Sequence, residues 1–334
     1  MLDSKLKKLL QFYSNYVKSM TSRMVGCEKI IERLFIALML GGNILLEGPP
    51  GVGKTTMVKT FADYFSLSYS RIQFTPDLMP LDIIGSNILQ QAEGGARSFE
   101  FYKGPLFANI VLGDEINRAT PKTQSAFLEA MEEKRVTFLG KEYPLPDPFM
   151  VIATQNPIEL EGTYPLPEAQ IDRFLMKLFF LYPDFSTLRQ IVKTNEFPLP
   201  VPEAHPASPQ TKSTIQQELR ELEREMIVLD DIRNFITRLV VSTHPDHTTT
   251  AAIKQFVLYG ASPRAGIYLL RAAKWRALLD NRVNVSFEDV EELAFDVLNH
   301  RIILNFDAES QSIDTAALIR AILHDLKLRF RLNR

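Results

Sequence analysis

NILLEGPPGVGKTT, residues 43–56, decides how this chain is read. Residues 43–47 form a short apolar run, long enough for a buried strand and too short for a helix. Gly48 to Thr55 then fits G-x-x-x-x-G-K-[ST] at every fixed position. From Lys54 on, Met57, Val58, Phe61, Ala62 and Phe65 recur at helical spacing. A strand, a glycine loop and a helix in that order are the context a phosphate-binding loop requires. Glycines let successive backbone N–H groups turn toward one anion, and the helix adds its positive end. Gly48, Pro50, Gly51, Val52, Gly53 and Thr56 are therefore expected to wrap a nucleotide triphosphate. Lys54 is expected at the β- and γ-phosphates, and Thr55 at Mg²⁺.

Two further strands supply the chemistry that such a loop needs. Residues 109–115, NIVLGDE, read as a buried strand ending in two acids. Asp114 at the strand end is placed to hold hydrated Mg²⁺ beside Thr55, and Glu115 to orient and polarise an attacking water. Residues 149–154, FMVIAT, form another strand that runs into Gln155-Asn156-Pro157. The Asn156 amide at that end is expected to touch the γ-phosphate or the water. Asp followed by Glu favours ATP hydrolysis over a GTP switch, and no N-K-x-D guanine-reading motif occurs.

Composition narrows the partners. The 38 basic and 40 acidic residues nearly cancel, which gives no bulk attraction to nucleic acid or to an anionic membrane. Cys27 is the single cysteine, so no intrachain disulfide and no cysteine-rich zinc site can form, and a cytoplasmic location is expected. No stretch reaches the length of a transmembrane helix, and the start lacks the pattern of a secretory signal. His244-Pro-Asp-His247 lacks the further ligands of a metal site. Cys27 opens a helix, where a lowered pKa is conceivable, but a buried thiol fits better.

Outward from the core motifs, helices are expected over Leu2–Met20, Cys27–Met39 and Pro121–Glu133. Tyr69–Phe74 reads as a strand and Thr75–Asp82 as a turn-rich stretch. Hairpins are expected for residues 87–91 with 98–102, around Gly94, and for 135–138 with 142–143, around Gly140. A short helix over 168–174 enters a strand at Phe174–Phe180. Residues 197–209 hold five prolines and form an extended connection. The remainder reads as wholly helical: Thr214–Met226, Asp230–Thr243, Thr249–Leu258, Pro263–Asn281, Phe287–Leu298 and Asp314–Leu328, with Ser286 and Asp289 as a capping box. The expected organisation is an α/β core over 1–183, a connection over 184–213 and a helical domain over 214–334.

Together these motifs resemble AAA+ ATPases, and specifically the MoxR family. The resemblance lies in GDEINRATPKTQSAFLEAMEE (113–133), ATQNP (153–157), GTYPLPEAQIDRF (162–174) and GASPRA (260–265), in order over nearly the whole chain. It implies a five-stranded parallel sheet between helices, followed by an all-α lid. It implies Walker A roles for Lys54 and Thr55, Walker B roles for Asp114 and Glu115, and sensor 1 for Asn156. Arg173 matches the arginine finger that acts on the ATP of a neighbouring subunit, and Arg264 the lid arginine called sensor 2. Val25 and Gly26 lie where such proteins cradle adenine. The hairpins match the helix-2 insert and pre-sensor-1 hairpins near a central pore. The implied protein is a homo-oligomer, a hexamer, which remodels protein clients that often carry a von Willebrand factor A domain. A motor subunit of a metal chelatase and a nucleic-acid-remodelling motor are the rival readings. The second would carry a DNA-binding appendage or a strong basic balance, and neither is seen.

Overall fold

The computed structural model describes residues 2–91, 97–156, 162–196 and 221–332. At its centre are five parallel strands in the order β2-β5-β8-β1-β9. They are β1 (Ile44–Glu47), β2 (Tyr69–Gln73), β5 (Ile110–Asp114), β8 (Met150–Gln155) and β9 (Met176–Phe179). Register brings Glu47 level with Gln155 and Phe179, and Gln73 level with Asp114. Every strand therefore ends on one edge, where open α/β sheets bind ligands. Continuous burial along β5 and β8 explains why they read as unbroken apolar runs rather than alternating ones.

Helices α1 (Leu2–Thr21), α2 (Glu28–Leu40) and α3 (Lys54–Tyr64) cover one face of the sheet, and α5 (Pro121–Glu133) packs on the other. The apolar stripe of α1 buries Leu6, Leu9, Tyr16 and Met20 on the chain's own core. The hairpin β3 (Gly85–Gln91) with β4 (Arg97–Lys103) meets the hairpin β6 (Arg135–Phe138) with β7 (Lys141–Pro144) through Phe101, whose ring lies 4.9 Å from Phe138 and 4.3 Å from Tyr143.

The C-terminal part is helical: α8 (Asp230–Val241), α9 (Ala251–Phe256), α10 (Pro263–Leu279), α11 (Phe287–Leu298), α12 (Phe306–Ser310) and α13 (Thr315–Leu332). One apolar cluster runs without a break from α1 and α2 into these helices, through Phe35, Trp275, Leu293 and Val297. Buried Arg33 on α2 reinforces the contact, donating to Asp296 of α11 at 2.9 Å.

Several expectations need correction. Thr75–Asp82 is not all turn, because α4 (Pro80–Ile84) starts inside it, with the Asp82 carboxylate accepting from the Met79 N–H. The helix expected over Thr249–Leu258 stops at Phe256. Val257–Tyr259 instead pairs antiparallel with Ile303–Leu304, so the helical part carries one small ribbon. The short helix expected before β9 is α6 (Glu168–Ile171); a helix not foreseen, α7 (Phe185–Glu196), follows β9, with the Asp184 carboxylate accepting from the Thr187 N–H. The capping box of Ser286 and Asp289 is present as expected. The tip around Gly94, the five-proline stretch 197–209 and most of the helix expected over Thr214–Met226 lie outside the described residues.

Candidate functional site

The glycine loop joins β1 to α3 at the strand-end edge. Gly51 and Gly53 sit at φ +80° and +97°, where a side chain would strain the turn. Gly48 is fixed by crowding instead, since a Cβ there would lie 2.3 Å from the Phe180 carbonyl oxygen. Gly53 begins α3, and no side chain caps its first turn. The Lys54 ammonium donates to the carbonyls of Gly48 and Pro49 at 2.6 and 3.2 Å, so it lies folded over the loop. Burial holds its pKa below the ordinary lysine value, although Asp114, Glu115 and Glu47 pull it upward. Thr55 is half-buried beside it on the first turn, whereas Thr56 is exposed.

One hydroxyl organises both acids. Buried Thr154 donates to Asp114 Oδ1 at 2.6 Å and accepts from the Glu115 N–H at 2.9 Å. Arg71 donates to the other Asp114 oxygen through Nε at 3.1 Å and Nη2 at 2.6 Å. Glu115 stands at φ +58°, left-handed backbone that is uncommon for a non-glycine residue and often found at functional sites. This turn lifts its carboxylate off the line of β5, where Gln73 and Arg118 donate to Oε2 at 3.0 and 3.1 Å. Asn156 is buried directly after β8, next to Gln155, whose carbonyl accepts from the Gly48 N–H at 3.3 Å. Lys54, Thr55, Asp114, Glu115 and Asn156 are thus gathered on one edge of the sheet.

Val25 and Gly26 flank this edge. Gly26 has φ +74°, and a Cβ there would lie 2.6 Å from Thr187 Cγ2 on α7. Met24 reaches the loop from the same turn, its terminal methyl 3.3 Å from the position of a Cβ on Gly53. The turn, the glycine loop and α7 therefore share one corner. Burial pushes the neighbouring Cys27 thiol up to about 11, which removes the reading of an activated cysteine. His244 is engaged with the Ala261 carbonyl at 3.0 Å, and no cluster of three metal-ligating side chains occurs among the described residues.

Arg173 and Arg264 lie elsewhere. Arg173 precedes β9, and the Leu175 N–H donates to the Asn43 carbonyl at 2.8 Å, at the start of the parallel β1. This is the edge opposite to the glycine loop. The Glu132 carboxylate pairs with Arg173 through one oxygen and with Arg264 through the other, the latter at 3.7 Å. Asp172 accepts from Arg264 at 3.2 Å, from Arg301 at 2.8 Å and from the Ser262 hydroxyl at 2.9 Å. Burial draws buried Arg301 down to about 10, a shift that the adjacent Asp172 opposes. The structure thus groups Arg264 with Arg173 and not with Lys54.

Comparison with known proteins agrees with this architecture. Residues 43–176 match the model described as ATPase family associated with various cellular activities, and residues 249–322 match an AAA lid domain. "Chaperone MoxR1" of Mycobacterium tuberculosis is 41% identical over 91% of this chain and 79% of its own length. The chain belongs to the MoxR family of AAA+ ATPases. "Protein MoxR" of Methylorubrum extorquens is 30% identical over 87% of each chain, and the uncharacterised YeaC of Bacillus subtilis 42% over 91% of each. A crystal structure of an ATPase candidate from Cytophaga hutchinsonii superposes with a TM-score of 0.85, at 41% identity over 96% of each chain. The chain thus shares its MoxR-type core and lid with these relatives. No helix among the described residues is long and apolar enough to cross a membrane.

Sequence reasoning passed over Thr154, Arg71, Gln73 and Glu132. Thr154 had a signal, being the one hydroxyl in an apolar strand. The others become visible only when strands and helices are placed side by side.

Proposed function

We propose that this chain hydrolyses ATP with Mg²⁺ in a cytoplasmic homo-oligomeric ring, a hexamer. The cycle remodels or matures protein clients, including proteins that carry a von Willebrand factor A domain. The chaperone named among its relatives supports the client reading. Exposed apolar side chains on the insert hairpin, Ile88, Leu89, Phe99 and Tyr102, offer a surface for such a client.

The observation that carries the proposal is the distance between the two halves of the machinery. Helix α5 begins beside the Glu115 turn and ends at Glu132 and Glu133, next to Arg173. Its 13 residues span roughly 20 Å. Glu115 and Arg173 of one subunit therefore lie too far apart to meet at one phosphate, which supports the reading that Arg173 serves the ATP of an adjacent subunit. Arg264, paired with the same acids, is assigned to the same side of that boundary. Both guanidiniums stabilise charge that develops on the transferring phosphoryl group, and in GTPases one such arginine is worth roughly 10³–10⁵ in rate.

Within the subunit that binds the ATP, Lys54 leaves the Gly48 carbonyl to reach the β- and γ-phosphates. The N–H groups of Gly51, Val52, Gly53, Thr55 and Thr56 receive phosphate oxygens, and Val25 and Gly26 take the adenine. Glu115 accepts a proton from the attacking water and aligns it, with Asn156 as a second contact. A carboxylate and a hydroxyl, from Asp114 and Thr55, are the hard oxygen donors that suit Mg²⁺, which keeps most of its waters. Held there, that ion would supply positive charge against the phosphate oxygens.

The test is the rate of ATP hydrolysis per subunit against protein concentration, for the wild type, Glu115→Gln, Arg173→Ala and a mixture of the two variants. Rates that rise with concentration, vanish in each variant and return in part in the mixture are expected. A rate flat with concentration and indifferent to Arg173 would overturn the shared site.

A further inference from the structure

We propose that Glu132 is a positioning residue for this reaction: its carboxylate holds Arg173 and Arg264 as a pair aimed at the ATP of the adjacent subunit. The inference rests on the reading that both arginines act across the subunit boundary.

Three guanidiniums crowd this corner, those of Arg173, Arg264 and Arg301, with Asp172 and Glu132 between them. Asp172 already serves Arg301, Arg264 and the Ser262 hydroxyl. Among the described residues Glu132 is thus the one acid that touches Arg173, and it is also the link from Arg173 to Arg264. Without it, three cations share a single carboxylate, and like charges at this range repel. Arginine also carries several freely rotating bonds, so an untethered Arg173 would spread over many rotamers. A carboxylate that fixes one edge of a guanidinium leaves its planar fork oriented, which is what a phosphoryl group requires.

The location of Glu132 sharpens the assignment. It lies within the same sequence block as Asp114 and Glu115, yet a full helix carries it to the opposite edge of the sheet. Its neighbour Glu133 pairs with Arg135 at 3.0 Å, so the two adjacent glutamates have separate tasks. Glu132 should therefore act with Arg173 in the neighbour's site and not with Glu115 in its own.

The experiment uses the full chain with Glu132→Ala and Glu132→Gln, each alone and each mixed with Glu115→Gln. Turnover, KM and the affinity for a fluorescent ATP analogue are measured. Glu132→Ala should lower kcat by roughly 10–10²-fold, the loss that follows from misplacing a reacting group by about an ångström. Analogue affinity should stay within about twofold, and the mixture with Glu115→Gln should regain activity as the Arg173→Ala mixture does. Glu132→Gln keeps the shape of the side chain and one acceptor, and should fall between Glu132→Ala and the wild type. Turnover at or above that of the wild type would overturn the proposal by showing that Glu132 restrains the arginines. Loss of activity that Glu115→Gln cannot complement, while Arg173→Ala is complemented, would assign Glu132 to its own site or to folding. Failure of the Arg173→Ala mixture would remove the cross-subunit reading itself, and this inference with it.

Discussion

Replacing Thr154 by valine tests the geometry of the two acids. The side chains are nearly isosteric, so no cavity opens. The change removes one fully buried hydroxyl that serves two groups, at 2.6 and 2.9 Å. Losing a hydrogen bond to a carboxylate costs about 1.5–3 kcal/mol, and an orphaned buried N–H adds about 1–3 kcal/mol. Asp114 retains Arg71, so the lower half of the combined range applies, roughly 2.5–4 kcal/mol. For a chain of 334 residues the melting temperature should fall by roughly 4–6 °C. Catalysis should suffer more than binding. The Glu115 turn at φ +58° is held through the N–H that loses its acceptor, and a carboxylate displaced by about 1 Å costs on the order of 10²-fold in kcat. KM for ATP, which the proposed roles assign mainly to the glycine loop and Lys54, should change little. Scanning fluorimetry and steady-state turnover, with Thr154→Ser as the variant that keeps the hydroxyl, read both effects. Valine at wild-type melting temperature and wild-type kcat would refute the reasoning, as would a serine variant no better than valine.

Three further outcomes follow from the same geometry. Gly26→Ala forces a side chain into φ +74° and against Thr187, at a cost of about 1–2 kcal/mol. Titration with a fluorescent ATP analogue should show roughly tenfold weaker binding, partly restored by Thr187→Ser. Arg33→Met leaves Asp296 buried without its main partner and should destabilise by about 3 kcal/mol in urea unfolding; Asp296→Leu added to it should recover much of the loss. His300 is half-buried, with its ring against the Phe174 carbonyl, and loss of solvent together with the adjacent Arg301 holds its pKa well below 6.5. The unfolded chain therefore takes up the proton first, and the stabilisation present above about pH 6.5 is lost as pH falls below it. Melting temperatures between pH 7.5 and 5 should drop more for the wild type than for His300→Asn.

The apolar strands and their ends were legible because a buried parallel strand is a short continuous run with one chemical residue where it surfaces. Asn43–Thr56, Asn109–Glu115 and Phe149–Asn156 all have that form. Pro121–Glu133 matches the helix expected: its proline announces the start, and the structure ends it at Lys134 with φ +52°. What stayed hidden depends on contacts between segments distant in the chain. Nothing near Val257–Tyr259 announces that Ile303–Leu304 will pair with it, so helical spacing extended too far there. Nothing near Arg264 announces Glu132 or Asp172. Its position in the lid identified it as a phosphate-sensing candidate, but only the contacts of the α10 start with Asp172 and Glu132 show which edge it occupies. The capping acids Asp82 and Asp184 were visible as residues. Neither is a strong start signal without the apolar stripe that α4 and α7 are too short or too exposed to display.

The length of α5 restricts how such a chain can vary over evolutionary time. Because Glu132 works at one end and the Glu115 turn at the other, inserting one residue would rotate the far end by about 100° and advance it by about 1.5 Å. The arginine pair would lose its carboxylate, while the acids at the near end would feel nothing. Insertions and deletions should therefore be purged from residues 121–133 even though much of that helix is solvent-facing. They should accumulate at hairpin tips, where an added residue changes reach but not alignment. A set of related sequences aligned by length alone, with no residue identities compared, would then show α5 as a stretch of fixed size between two variable ones.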